Sequence, residues 1–453
     1  MRALASSESS ALKMPASLQA TEPAPASGGK HATKLAVTFA GGNLIALILR
    51  LVTGLLTARI VGPAILGKFT AASLVLGYLP MLHLGVVNGL GRDLPYYIGA
   101  GRKELALKLA AVTEFWVLAI GGASVIGCCV VSARYALGGD WQLSTAWATN
   151  SVSAFFLFYA QQYLQVTYRT IGDFSKLALA SVIQSVVLLA ATAGVWAWQF
   201  EGLCLRALCV CLANSVLLWL WRPMKVEPNW NSTLFLQLLK TGVPIFAVGQ
   251  LWALWPVLDS TLVLLGTGSK GLGLYALSTM AMSGAIALSA SFNQVVYPRM
   301  AEEYGRSGSP ARALRLALSP TAFLVAIMLI YLIGSIALLG PFVKMFLPKY
   351  MSGLPAARWS FGAAALLALM PPLDLFAVIK RQFLAAVCLL GGVATYLGII
   401  YASPGHRASL ELYPKAMIAG FAVYLAASYG MLRWLVQRPQ IPPAALPADQ
   451  SGI

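Results

Sequence analysis

Apolar runs of about twenty residues recur along nearly the whole chain, each long enough to cross a hydrocarbon core of about 30 Å as a helix. We place twelve of them, at approximately 35–60, 65–90, 106–132, 144–168, 176–199, 202–221, 240–266, 271–297, 313–341, 358–379, 383–402 and 413–436. The runs are apolar almost all round and do not alternate with period two, which favours a helical bundle over a membrane barrel. The expectation is an all-α polytopic membrane protein, with about 12 transmembrane helices in two pseudo-symmetric six-helix lobes. Residues 1–34 and 438–453 interrupt the pattern at the ends; they are rich in Ala, Ser and Pro and lack the apolar core of a signal peptide, so they read as cytosolic tails, the first of them disordered. Residues 223–239 are polar around Pro228 and Asn229 and read as a cytosolic linker between lobes 35–222 and 240–437.

One pattern occurs twice, 206 residues apart. The first copy has Gly62, Gly67 and Phe69, then an apolar stretch, then Arg92 and Gly99; the second has Gly268, Gly273 and Tyr275, then Pro298, Arg299 and Gly305. Both glycine pairs, the aromatic and the distal glycine keep one offset without a gap. A glycine turn, an apolar helix and a basic exit in each half indicate a duplicated membrane unit, a common transporter design. The four glycines Gly62, Gly67, Gly268 and Gly273 are expected at tight extracytoplasmic turns.

Composition agrees with the pattern: 58% of the 453 residues are hydrophobic and only 10% charged, with mean hydropathy +0.75, against about 25% charged in soluble domains. The net charge of +17 could suggest nucleic acid, but its placement argues for topology. With the N-terminus inside, inner loops and ends hold 21 of the 32 Lys and Arg residues, outer loops hold ten, and Arg50 lies within the first helix. That bias puts both termini in the cytosol and leaves no call for a nucleic-acid partner. Some of the basicity could serve anionic membrane lipids or an approaching anionic substrate. Loops are short throughout, which weighs against membrane polymerases that need a large outer loop. There is no Walker motif, so the chain is not expected to hydrolyse ATP. The six cysteines (128, 129, 204, 209, 211 and 388) lack zinc-site spacing and read as packing residues, so neither metal nor cofactor is expected.

A few polar residues stand inside the apolar runs. Arg50 lies about 24 Å along the first helix from Leu35, and shares a face with Asn43 and Gly54. A guanidinium at that depth costs about 2.5 kcal/mol or more and calls for a watery cavity or a partner. Two readings stand: a bidentate clamp for a diphosphate, and an ion pair with Glu114 of the third span. Glu114 itself could pair with Lys108 or Arg50, or bind a coupling cation. On the seventh helix Asp259 follows Trp252 and Trp255 by seven and four residues, a face that could hold a sugar or a cation, or lie in an interfacial aromatic belt. Pro244 and Pro256 bracket this stretch and predict a kinked or broken helix. Asp374, close to Lys380 and Arg381, reads as a local salt bridge or a coupling-ion site. His83 reads as a hydrogen-bonded interior histidine or a proton relay.

Taken together, the stretch Leu35–Leu109 with Asn43, Arg50, Ala58-Arg59-Ile60-Val61-Gly62-Pro63 and Gly67 resembles the N-terminal half of polysaccharide-biosynthesis flippases. These are O-antigen and exopolysaccharide translocases of the multidrug/oligosaccharidyl-lipid/polysaccharide exporter superfamily. Tyr168 to Phe174 is similar to their fourth-to-fifth turn, and Leu239–Pro244, Asp259, Gly273–Tyr275 and Tyr297–Arg299 match their second half. The resemblance covers about residues 35–437. It implies a non-enzymatic flippase in the bacterial inner membrane that moves a polyprenyl-diphosphate-linked oligosaccharide by alternating access for lipopolysaccharide or exopolysaccharide synthesis. It also implies a polysaccharide polymerase and a chain-length regulator as partners, and it points to Arg50 as the residue meeting the anionic head. Alternatives are a cation-coupled drug antiporter of the same superfamily, which should carry more intramembrane carboxylates, and a membrane-embedded polymerase or glycosyltransferase.

Overall fold

The computed structural model describes residues 29–437, with side chains described from residue 45 onward. The tails 1–28 and 438–453 and the side chain of Asn43 lie outside the described residues. Everything described is helix or short connection, and no strand occurs among the described residues. The helices are α1 (Gly29–Ile60), α2 (Pro63–Ser73), α3 (Val86–Gly99), α4 (Lys103–Leu137), α5 (Trp141–Phe156), α6 (Gln165–Ile171), α7 (Phe174–Ala190), α8 (Thr192–Leu220), α9 (Ser232–Leu274), α10 (Ala276–Ser307), α11 (Pro310–Phe346), α12 (Leu354–Leu366), α13 (Gln382–Ala402) and α14 (Leu412–Gln437). The protein is thus an all-α polytopic membrane protein. Seven helical stretches among the described residues are long and apolar enough to cross a membrane, or eight if the bent pair Pro348–Leu369 and Pro371–Val378 is one span. The twelve apolar runs are mostly helical, with breaks such as Leu84–Gly85 and Met370, and several of these helices carry too many polar positions, or are too interrupted, to pass that test.

Local chemistry explains where the helices stop. Pro63 opens α2 at its first turn, where the missing N–H costs nothing. Asp140 and Asp173 cap α5 and α7 by accepting the backbone N–H groups of Leu143 and Lys176. Residues 29–34, expected to belong to the tail, are already helical in α1, since no breaker separates them from the apolar run. Helix α8 contains a break at Gln199 (φ 48°, ψ −105°), which separates Thr192–Trp198 from the longer arm beginning at Phe200. That break coincides with the boundary between the fifth and sixth apolar runs.

The chain divides into two compact units, and the division differs from the expected lobes. Among the described residues, unit 1 comprises residues 29–61 and Ala72–Gly249; unit 2 comprises Gly62–Ala71 and residues 250–437. The boundary therefore falls inside α9 at Gly249, and not in the linker. Within unit 1 the first half of α9 packs on α3: Thr241 donates to Asp93 (3.3 Å), and the Gln237 amide donates to the Tyr97 hydroxyl (2.9 Å). Helix α9 also runs unbroken through Pro244 and Pro256, contrary to the expected kink. Its departure from helical backbone lies at Gly268 (φ 73°, ψ −179°). In a long membrane helix a lost proline hydrogen bond is absorbed by neighbours, whereas a left-handed φ at Gly268 redirects the chain.

In unit 2 the doubled glycine pattern acquires a meaning that spacing does not carry. Gly62 and Gly268 occupy turns, but Gly67 and Gly273 sit in helices and touch. A Cβ on Gly67 would overlap the Ser269 carbonyl oxygen, and a Cβ on Gly273 would overlap the Pro63 carbonyl oxygen. Pro63 and Ser269 each follow the first glycine of their copy, so the contact is reciprocal: equivalent residues of the two copies pack on each other. Two backbones approach this closely only where both side chains are hydrogen, the small-residue packing common in membrane helices.

Candidate functional site

Two guanidinium groups sit within helices of unit 1. Arg50 on α1 uses Nη2 to donate to Ser181 Oγ (3.2 Å) and Gln184 Oε1 (3.0 Å), both on α7. The expected pair with Glu114 does not form, because α7 lies beside α1 and supplies these neutral acceptors. Seven residues on, Thr57 lies on the same face of α1 and accepts from Arg206 Nη1 of α8. Arg206, which the sequence reading did not single out, stands within α8, seven residues past the break at Gln199. Its place inside the apolar run 202–221 was the available signal. Among the described residues neither arginine forms a salt bridge; the pairs found are Lys176–Asp173, Arg306–Glu303 and Lys415–Glu411.

Glu114, also in unit 1, is buried on α4 and held by two tyrosines. Tyr159 donates to Oε1 and Tyr163 to Oε2, both at 3.2 Å. The tyrosines lie on a π-helical stretch, Leu157–Leu164, that joins α5 to α6. Such widened turns are rare and recur at functional sites. Arg222, just past α8, lies within electrostatic reach of both the Tyr159 hydroxyl and Glu114. The cation near Glu114 is thus neither Lys108 nor Arg50. His83 is accounted for locally: its Nδ1 accepts the Gly85 N–H (3.1 Å) in a turn where Leu84 and Gly85 both have positive φ, and its ring packs edge-on against Phe246.

In unit 2 the structure brings Trp252, Trp255 and Asp259 into one cluster. The two indoles stack with centroids 6.0 Å apart and planes 23° apart. Trp255 continues to Phe421 and Tyr396, and Trp252 meets Tyr424 edge-on. Asp259 is only 4% exposed; Tyr396 donates to its Oδ1 at 2.7 Å and Tyr275 donates to the same oxygen at 3.4 Å. Trp255 fits against Gly392 of α13 and Gly420 of α14, where side chains would collide with its ring. At 2% exposure it offers no open face for a sugar in this conformation; Trp252 is half-buried. Asp374 is half-buried within electrostatic reach of Tyr424, at the Trp252 end of the column. It forms no ion pair with Lys380 or Arg381 among the described residues, since Lys380 takes a left-handed backbone (φ 57°) that turns the chain there. Tyr159, Tyr163 and Tyr396 come from other helical segments and Tyr275 from the turn after α9, and sequence spacing carries no sign of these bonds.

Comparison with known proteins bears on what this arrangement serves. A family model described as "Polysaccharide biosynthesis protein" matches residues 109–350, more than half of the chain. No curated protein matches the sequence. Among solved structures, an inward-facing multidrug resistance MATE family transporter of the MOP superfamily superposes with TM-score 0.69 at 14% identity, covering 88% of this chain and 98% of that one. A MOP superfamily transporter from Pyrococcus furiosus superposes with TM-score 0.60 at 15% identity, covering 89% and 95%. A mutant MATE transporter from Vibrio cholerae gives TM-score 0.55 at 14% identity, covering 93% and 98%. At these identities the likeness shows the fold. The chain therefore belongs to the polysaccharide biosynthesis protein family, and it has the fold of the MOP superfamily transporters.

Proposed function

We propose that this protein is a flippase that carries a lipid-linked oligosaccharide across the bacterial cytoplasmic membrane by alternating access. In this reading it has twelve spans, both termini are cytosolic, and it serves the synthesis of a cell-surface polysaccharide, with a polymerase and a chain-length regulator as partners. The observation that carries the reading is the pair of arginines within helices of unit 1. A guanidinium in a membrane helix is expensive, and Arg50 and Arg206 are matched by hydroxyl and amide oxygens rather than carboxylates. Such groups retain their full positive charge for an anionic cargo, and a diphosphate linkage suits the planar fork of arginine. The family membership supports a saccharide cargo, and the fold supports transport over catalysis.

The unit 2 cluster favours a second reading in which transport is coupled to a cation. Asp259 is a buried carboxylate with tyrosine partners beside stacked indoles, and Asp374 stands at the far end of the same column. Cation-driven antiport of a small molecule would use the same groups. The two readings separate in a strain lacking the chromosomal copy. Complementation with Arg50→Ala is expected to lower surface polymer by about tenfold or more at unchanged protein level, if the charge supplies the roughly 1.5–3 kcal/mol of a charged hydrogen bond. Normal polymer output from Arg50→Ala would sink the clamp. Loss from Asp259→Asn with none from Arg50→Ala would favour the cation-driven reading.

A further inference from the structure

Residues 222–231, between α8 and α9, form no helix, yet they lie folded onto unit 1. Met224 is 4% exposed and shares a core with Leu109, Tyr159 and Tyr163, with Val226 packed beside it. The Asn229 N–H donates to the Ala111 carbonyl (3.3 Å). Trp230 places its ring 5.6 Å from Phe115 and 4.8 Å from Phe235. At the root of the segment, Arg222 lies over the Trp219 ring (5.3 Å) and within electrostatic reach of the Tyr159 hydroxyl.

These anchors converge on one buried acid. Ala111, Glu114 and Phe115 are three and four residues apart, so they share one face of α4. The strap is bound just before and just after Glu114 along that helix, and Arg222 at its root acts electrostatically on the same carboxylate without forming a direct ion pair. The charged and titratable groups around Glu114 are Tyr159 and Tyr163 from the π-helical stretch and Arg222 from the strap. Lys108 and Glu104 on α4, and Glu227 on the strap, are exposed. Beneath Trp230 the Trp116 indole N–H is buried without a hydrogen-bond partner, a donor that lifting the strap would hydrate. The docked state therefore carries a built-in cost, and the attraction between Glu114 and Arg222 offsets it.

We propose that residues 222–231 are a latch whose docking on unit 1 is set by the charge of Glu114. The ionised carboxylate, oriented by the two tyrosines, holds Arg222; with the charge gone, Arg222 turns to water and the strap lifts from Met224 to Trp230. This makes Glu114 a positioning residue for the connection between α8 and α9, and the inference stands whatever the cargo.

Limited trypsin digestion of the full chain in nanodiscs tests it, reading cleavage after Lys225 by mass spectrometry. An extended strap must come off its support to enter a protease, so the rate follows the open population. Glu114→Gln keeps the shape and removes the charge, and is expected to speed that cut by about tenfold. Trp230→Ala, which removes the far anchor, is expected to do the same. Arg222→Gln should match Glu114→Gln, and the double variant should add little to either, since both remove one interaction. If Glu114→Gln folds poorly, Arg222→Gln with the double variant carries the test. A wild-type rate in Glu114→Gln or Arg222→Gln beside a fast Trp230→Ala would show a docked strap that ignores the acid, and overturn the proposal. A wild-type rate in Trp230→Ala would show that the strap is not docked, and overturn it as well. Neither result touches the flippase reading, because cleavage requires no substrate.

Discussion

At Asp259 the carboxylate oxygen that receives both tyrosines receives them unequally. The Tyr396 bond at 2.7 Å has the length of a strong O–H···O⁻ interaction, and the Tyr275 bond at 3.4 Å is at the edge of one. Removing a donor from a buried charge costs about 1–3 kcal/mol, and the nearer donor should cost more. Tyr396→Phe is therefore expected to lower the thermal midpoint of the purified protein by more than Tyr275→Phe does. Equal shifts would mean that the two hydroxyls serve Asp259 alike. The same residues show what sequence can and cannot disclose. Trp252, Trp255 and Asp259 share a face by helical period, and the structure clusters them. Tyr275 and Tyr396 reach that cluster from elsewhere in the chain, and nothing in their spacing announces it. Arg50 was legible as a charge in an apolar run. Its acceptors, Ser181 and Gln184, were not, because a period describes one helix and a partner belongs to another.

Between elements, the lesson lies in the repeat. Recurrence of Gly62-x4-Gly67 and Gly268-x4-Gly273 was visible as a duplication, and turns were the natural expectation for all four glycines. The first of each pair does lie in a turn; the second supports a helix contact that only the fold creates. Alanine at Gly67 or Gly273 would drive a methyl into a backbone oxygen, which side-chain rotation cannot relieve. Overpacking of this kind typically costs about 1–3 kcal/mol. Each single variant is expected to lower the thermal midpoint, and the double variant by less than the sum, because helices already pushed apart by one methyl admit the second more easily. Gly122, in the middle of α4 with open space around it, supplies the contrast. Alanine there removes about 1 kcal/mol of glycine's helix penalty and should leave the midpoint level or higher. If Gly67→Ala behaved like Gly122→Ala, the reciprocal contact would not be stabilising the protein.

For the whole molecule, the number of crossings is the property on which hydropathy and helix geometry diverge. Twelve apolar runs are mostly helical, while seven or eight helices pass a test of length and apolarity. The shortfall has a physical source. Helices such as α10, with Asn293, Gln294, Arg299, Glu302 and Glu303, mix polar residues into the run, and a transporter must do so wherever a helix borders water or cargo. On the proposed twelve-span reading apolarity undercounts the spans, and parity is an observable that tests it. Twelve crossings return the C-terminus to the side of the N-terminus; seven would leave it opposite. On the same reading, the basic bias toward one set of loops predicts that this shared side is the cytosol. Two fusions placed just beyond α14 (Leu412–Gln437) separate an even count, twelve or eight, from seven: a fluorescent protein that matures only in the cytosol, and alkaline phosphatase, active only outside. We expect fluorescence without phosphatase activity. Phosphatase activity without fluorescence would mean an odd number of crossings below a cytosolic N-terminus, and would break the pairing of six helices with six on which two-lobed alternating access depends.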